Sequence, residues 1–206
     1  MQWVHILLVI YKMIDFIKNN NFSDYFVDDL IYDDTEVVFV LESPHIQEVK
    51  NHYPVAGKSG KDMSKVLFED EKLKTESFGK LIFNKQISGF GILNVSNIPL
   101  QKSAYKIGEN ELFREFELFR QNPSLRKKEC SLNKTIRIFQ TDFKNRLELH
   151  EDKKIVLCGA FVHKIFKDTF PNHKFKNTLE VPHPSFNNWS KQKYSDKIKE
   201  LLEFIK

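Results

Sequence analysis

Four short apolar runs divide the chain into longer stretches in which apolar positions recur every three or four residues. The first run, at 37–41, reads Val-Val-Phe-Val-Leu, and the others lie at 90–95, 155–158 and 179–181. Continuous apolar runs of this length, rich in β-branched residues, are typical of strands that are buried on both faces. The pattern therefore predicts four buried strands.

The stretches between these runs have the spacing of amphipathic helices. Near the start, Ile6, Ile10, Ile14 and Ile17 lie three or four residues apart and predict a helix. Its apolar run is interrupted by a charge at position 12, well short of a membrane span. Further helices are predicted over 61–74, 109–121, 132–149, 160–166 and 195–205.

Strands that alternate with helices favour a mainly parallel sheet with helices on both faces. The chain has 206 residues, a length that suits one domain, and we find no linker or repeat that would divide it. We therefore predict a single α/β domain over 1–206. The charged helices at about 106–152 are predicted to be an insertion in it.

Composition and charge are consistent with a folded domain and change the predicted architecture little. Hydrophobic residues make up 41% and charged residues 29% of the chain, which argues against disorder. A net charge of +4 permits a polyanionic partner without requiring one. Cys130 and Cys158 are far apart in sequence, so a metal site built from cysteines is not expected. These features predict a cytoplasmic protein in a reducing compartment, with no membrane contact.

Polar residues follow each predicted strand. Glu42-Ser43-Pro44-His45 follows the first, Asn94 ends the second, Gly159 follows the third, and His183-Pro184-Ser185 comes soon after the fourth. Ligands of open parallel sheets bind outside the carboxyl ends of the strands. We therefore expect a pocket at that edge, built chiefly from the Glu42 and His183 loops.

Each motif also has a purely structural interpretation. Glu42-Ser43-Pro44-His45 can form an ordinary turn. Asn94 can be a turn residue whose side chain makes its hydrogen bonds within the protein. The loop at 57–60 can cradle an anion at a helix start or simply begin a helix, and it lacks the spacing of a P-loop. His183 lies between two prolines that fix its backbone, which favours a functional role.

Five motifs nevertheless occur in a recognisable order. They are E-S-P-H-x-x-E after a strand (42–48), P-V-A-G-K-S-G-K (54–61), a strand ending in Asn94, I-V-L-C-G-A (155–160) and H-P-S (183–185). The order resembles that of the uracil-DNA glycosylase superfamily, nearest to its thermostable iron–sulfur branch. The resemblance implies a three-layer α/β/α sandwich with a four-stranded parallel sheet, and excision of a uracil-like or damaged base from single- or double-stranded DNA.

By motif position, the resemblance implies that Glu42 orients water and stabilises the sugar cation, while His183 stabilises the departing base. The residues implied to contact the base are Pro44, His45, Val55 and Asn94. The residues implied to contact DNA phosphates are Gly57, Lys58, Ser59, Gly60 and Ser185. Phe186 and Trp189 are candidates either for a wedge that opens the base stack or for ordinary packing.

Departures from the family pattern leave the substrate open. His45 replaces a small glycine, and Val55 replaces an aromatic residue that would stack on the base. The cluster cysteines of the nearest branch are absent, so neither an iron–sulfur cluster nor another cofactor or metal is expected. One alternative is a non-catalytic module that binds a base, a nucleotide or modified DNA, with a protein partner on the helices at 106–152. Another is a hydrolase of small nucleosides or phosphoesters.

Overall fold

The protein's structure, a computed structural model, describes residues 13–106, 111–121, 131–172 and 175–206. Its centre is a four-stranded sheet in the order β2-β1-β3-β4, and every neighbouring pair is parallel. The strands are β1 (Val37–Leu41), β2 (Phe90–Asn94), β3 (Lys154–Cys158) and β4 (Thr178–Val181). The predicted parallel sheet is confirmed, and the strand bounds agree to within about one residue.

Helices cover both faces of the sheet, so the predicted three-layer sandwich is confirmed. A first helix, α1, is described over 13–19. The other helices are α2 (Ile46–Asn51), α3 (Lys58–Leu67), α4 (Glu71–Thr75), α5 (Phe78–Phe83), α6 (Glu111–Gln121), α7 (Ser131–Glu148), α8 (Ala160–Thr169) and α9 (Ser195–Phe204).

The helix predicted over 61–74 is wrong as one element. The chain leaves helical geometry at Phe68, whose backbone is extended, and a new helix begins after Asp70. The Asp70 side chain accepts a hydrogen bond from the Lys72 backbone N–H, which caps α4. Phe68 packs against Phe78 and Phe90, with ring centroids 6.1 and 6.3 Å away. The break lets this aromatic side chain reach the core.

The short helices α2 and α5 were not predicted, because six residues are too few to show a helical period. The first part of the predicted N-terminal helix, including Ile6 and Ile10, lies outside the described residues, as does Cys130. Of the helices that the structure describes, none is long and apolar enough to cross a membrane.

The sheet separates two apolar layers because alternate side chains of each strand point to opposite faces. Val38 and Val40 of β1 pack into the layer that includes α1, α6, α7 and α8. Phe39 and Leu41 pack into the layer that includes α3, α5 and α9. The two layers hold the sheet rigid, and the carboxyl ends of its strands therefore present their loops at one fixed edge.

Candidate active site

A cavity of about 560 Å³ opens at the carboxyl edge of the sheet, where the loops after β1 and β4 meet. Glu42 and His183 both line it, although they are 141 positions apart in the sequence. Its remaining lining residues are Leu41, Ser43, His45, Ile46, Gln47, Glu48, Val55, Gly57, Lys58, Ser59, Gln101, Arg120, Ser185 and Phe186. The two loops that sequence analysis paired are thus adjacent in space.

Three predicted site residues do not line this cavity. Pro44 is buried and lies outside the lining. Gly60 is also buried, and its backbone N–H donates to Gly57 O at 3.1 Å within the first turn of α3. Asn94 is paired in register with Leu41, which does line the cavity, so its side chain lies on the same face of the sheet one strand away.

The His183 loop is held by the residues that follow it. Trp189 is buried, and its indole N–H donates to Pro182 O at 2.7 Å. The Asn188 amide donates to His183 O at 3.0 Å. Both bonds pin the backbone on either side of the His183 α-carbon. The direction of the imidazole is therefore set by the fold rather than by a ligand.

The hydrogen bonds of His183 define its tautomer. The backbone N–H of Ser185 donates to Nδ1 at 3.1 Å, and the Ser185 hydroxyl lies 2.8 Å from the same atom. Burial, and then the positive charge of Arg120, lower the pKa of His183 to about 4. The ring is therefore neutral near pH 7, and because Nδ1 accepts a hydrogen bond, its proton lies on Nε2. Nε2 is the atom left to donate to a ligand.

Gly159 makes room for this histidine. Its backbone, at φ 97° and ψ 158°, is in a region that essentially only glycine adopts. A Cβ atom built there would lie 2.9 Å from the His183 Cβ. The Gly159 N–H also donates to Val181 O at 2.8 Å, which continues the pairing of β3 with β4. The end of β3 thus forms the surface against which His183 rests.

Glu42 is engaged by a residue from the predicted insertion. The Arg120 Nε of α6 donates to Glu42 Oε1 in a charged hydrogen bond. The Glu42 side chain is 16% exposed and the Arg120 side chain 39% exposed, so the pair lies at the cavity wall and not in open solvent. Helix α6 therefore contributes directly to the candidate site.

Glu48 also lines the cavity and braces the chain around it. Its carboxylate accepts the backbone N–H groups of His45 at 2.6 Å and of Val55 at 2.5 Å. Val55 has a left-handed backbone, with φ 56°, which is strained for a β-branched residue. Burial raises the pKa of Glu48 to about 7, although both hydrogen bonds oppose the rise. Glu48 thus ties the start of α2 to the loop that carries Val55.

Two glycines let the Val55 loop lie close to its neighbours. A Cβ on Gly60 would lie 2.0 Å from Val55 O, and one on Gly79 would lie 1.8 Å from Pro54 O. Gly60 was predicted to contact phosphate, but its surroundings give it a packing role. Gly57, Lys58 and Ser59 at the start of α3 face the cavity. A helix start of this kind favours an anion.

The Asn94 amide is buried, with 1% of the residue exposed, and neither of its polar atoms has a hydrogen-bond partner among the described residues. Leaving such a group unpaired costs about 1–3 kcal/mol. The Asn94 backbone is firmly held, because its N–H donates to Asp29 Oδ1 at 3.2 Å and its carbonyl accepts from Arg146 at 2.9 Å. The side chain is thus a fixed, unused donor and acceptor beside the cavity.

The two aromatic residues after H-P-S have different surroundings. Trp189 is 3% exposed and packs against Phe39, with ring centroids 6.3 Å apart. Phe186 is 83% exposed at the mouth of the cavity, with a left-handed backbone at φ 57°. Packing therefore accounts for Trp189, whereas the apolar ring of Phe186 is presented to solvent.

The site residues Arg120, Glu48 and Gly159 were not predicted from the sequence. Glu48 is the last letter of E-S-P-H-x-x-E, so its signal was present in the motif. Arg120 lies four residues after the buried Phe116, so it is in line with the apolar face of α6. A charged residue in that position was the signal that the sequence offered. Gly159 gave no sign of its contact with His183, which depends on the pairing of β3 with β4.

The chain matches one family of known proteins. A family model described as the uracil DNA glycosylase superfamily matches residues 29–206, which include the whole sheet and every residue named in the cavity. No curated protein matches the chain significantly in sequence. Because the match extends over well more than half of the 206 residues, the chain belongs to the uracil-DNA glycosylase superfamily.

Proposed function

We propose that the protein is a DNA glycosylase that hydrolyses the N-glycosidic bond of a flipped uracil-like or damaged base. The observation that carries this proposal is the meeting of Glu42 and a neutral His183 in one cavity. Cleavage of this bond develops positive charge on the sugar and negative charge on the base. A carboxylate and an N–H donor are the groups that such a transition state requires.

In the proposed reaction, the bond between the sugar C1′ and the base nitrogen breaks, and its electron pair leaves with the base. The Nε2–H of His183 donates to a carbonyl oxygen of the departing base and stabilises its negative charge. The Glu42 carboxylate stabilises the sugar cation and orients a water molecule, whose oxygen bonds to C1′. The water proton that is lost balances the charge of the base, so the products are a neutral free base and an abasic site.

Recognition of the base is proposed for Asn94, whose unpaired amide can both accept and donate at a base edge. Pro44, His45 and Val55 would border the base, and His45 would limit the substituents that fit. Phosphates would meet Gly57, Lys58, Ser59 and Ser185 at the start of α3 and the H-P-S loop, with Gly60 shaping that turn. The partner in this proposal is DNA.

Phe186 is proposed to assist base flipping. Extruding a base costs a few kcal/mol of stacking and pairing, and an exposed apolar side chain at the mouth can occupy the vacated space. Val55 offers no aromatic surface for the base. Phe186 is the one Phe, Tyr or Trp residue among the described residues that line the cavity. It is therefore also positioned to supply a stacking contact.

The test is base release from oligonucleotides that carry one uracil, hypoxanthine, xanthine or oxidised pyrimidine, in single and double strands. Alkali then cleaves any abasic site. We expect at least one substrate to be cleaved by the wild type, and Glu42→Gln and His183→Gln to lose most of that activity while remaining folded. Failure to release any of these bases would contradict the proposal.

A second candidate is a binding module without catalysis. The observation that favours it is the bond between Arg120 and Glu42, since a carboxylate engaged by a guanidinium is less free to orient water. Such a module would bind DNA with the modified base more tightly than matched normal DNA, in a salt-dependent manner, without releasing the base. Binding and release measured on the same oligonucleotide distinguish the two candidates.

A further inference from the structure

Arg120 stands in the cavity wall with part of its hydrogen-bonding capacity unused. Its Nε donates to Glu42, but Nη1 and Nη2 make no hydrogen bond to another described residue. The side chain is 39% exposed and lines the cavity that Glu42 and His183 share. Arg120 is carried by helix α6. This helix is fixed in place because Phe113, Phe116 and Phe119 are buried in the core. The guanidinium is thus brought to the site by the fold.

We infer that Arg120 is a positioning residue that orients the Glu42 carboxylate and, through its fixed charge, favours a ligand that is anionic where it meets His183. This inference deepens the proposed function, because it assigns to α6 a part in the same site. A guanidinium carries a positive charge in proteins. Its charge is therefore present whenever a ligand binds.

The charges around the cavity support this assignment. Glu42 and Arg120 compensate each other within their pair, and Lys58 adds a positive charge at the start of α3. His183 is neutral, and burial keeps Glu48 largely protonated below about pH 7. His45 is exposed at the rim. The described lining therefore has no uncompensated negative charge below that pH, and its balance favours an anion.

In addition to burial, the positive charge of Arg120 lowers the pKa of His183, as expected if this charge also favours an anion beside the ring. Burial is the main cause of the low pKa of His183, and the charge of Arg120 lowers it further. A positive field that disfavours a proton on the imidazole also favours an anion that accepts a hydrogen bond from Nε2–H. Bases that leave as anions would gain from this field, whereas alkylated bases that already carry a positive charge would be repelled.

The experiment compares Arg120→Gln, which removes the charge, with Arg120→Lys, which keeps the charge but loses the planar fork. Arg114→Gln is the matched control, since Arg114 is exposed on α6 and does not line the cavity. The probe is free 5-fluorouracil, whose affinity is measured from mildly acidic to alkaline pH as its ring N–H ionises. The titration of His183 is followed in parallel by nuclear magnetic resonance.

We expect the wild type and the Arg114→Gln variant to bind the 5-fluorouracil anion about tenfold more tightly than Arg120→Gln does, a difference of about 1.4 kcal/mol. In Arg120→Gln the pKa of His183 should rise from about 4 toward its ordinary value of 6.5. Arg120→Lys should retain most of the anion preference. Equal anion affinity in the wild type and Arg120→Gln, or equal losses in the Gln and Lys variants, would overturn the inference.

These readouts do not depend on catalysis. If the wild type releases no base from DNA, the proposed function fails, but anion binding and the His183 titration still decide the role of Arg120. If the wild type does release a base and Arg120→Gln changes neither readout, the inference fails while the proposed function stands.

Discussion

Gly159 and His183 pack so closely that a Cβ atom on the glycine would lie 2.9 Å from the Cβ of the histidine. The contact joins the end of β3 to the loop after β4. It explains how a histidine on an irregular loop acquires a fixed direction, because the strand end blocks one side of it. The hydrogen bonds from Ser185 to Nδ1 block the other, and Nε2 is left toward the cavity.

Replacing Gly159 by alanine should therefore weaken both folding and the site. The backbone conformation alone should cost about 1–3 kcal/mol, and the added methyl group would displace His183. We expect a lower free energy of unfolding in urea, and slower base release from whichever DNA substrate is cleaved. Gly89→Ala is the control, because Gly89 also has a positive φ, of 79°, but no described atom lies within 4 Å of the added methyl. Equal effects of both variants on activity would contradict the account.

Substituting His183 tests the donor directly. His183→Gln retains an N–H group but cannot place it where Nε2 lies, so single-turnover base release should fall by about 10²–10³-fold. Because the ring is neutral above a pKa of about 4, the wild-type rate should not fall through protonation of His183 until the pH approaches 4. A loss of rate centred near pH 6.5 that disappears in His183→Gln would show that the histidine acts in another state.

Glu48 should make stability depend on pH. Burial raises its folded-state pKa from 4.5 to about 7, so the unfolded chain releases this proton first as the pH rises. Its contribution is fully present below about pH 4.5 and is lost as the pH rises through 7, a change of at most about 3 kcal/mol. Compared with Glu48→Gln, the wild type should lose stability across this range. Parallel urea titrations at several pH values measure the difference, and identical pH profiles would contradict it.

Phe186 is expected to matter for DNA and not for folding. Because the residue is 83% exposed, Phe186→Ala should change the free energy of unfolding by less than about 0.5 kcal/mol. Base release should fall more on double-stranded than on single-stranded oligonucleotides, since only the duplex must be opened. Phe83→Ala, at a residue that is 47% exposed and stacked on Tyr53, is the control and should leave base release unchanged. Equal losses on both kinds of substrate would rule out a wedge.

Much of the fold could be predicted because its signals are local. The run from Val37 to Leu41 is apolar at every position, and such a run between polar turns is difficult to interpret as anything but a buried strand. Helices shorter than two turns carry no such periodic signal, so α2 and α5 were missed. The break at Phe68 was missed for another reason, since it depends on rings that pack from α5 and β2.

The candidate site was predictable only where its residues follow strands. Glu42 and His183 follow β1 and β4, and parallel strands bring such positions to one edge. Arg120 reaches the same edge from a helix between β2 and β3. Its position four residues after the buried Phe116 places a charge in line with the apolar face of α6, but nothing in the sequence pairs it with Glu42. The neutral state of His183 likewise depends on burial and on Arg120, which only the folded chain brings together.

Glycosylase activity is tested most directly by mass analysis of an oligonucleotide that carries uracil, and then of one with each other damaged base of the panel, after a single turnover with excess protein. We expect an abasic product and an equal amount of free base from uracil or from another damaged base of the panel, and the loss of both products with Glu42→Gln. An oligonucleotide that the protein binds but leaves intact, here and with every other damaged base tried, would contradict the glycosylase assignment and favour the binding module.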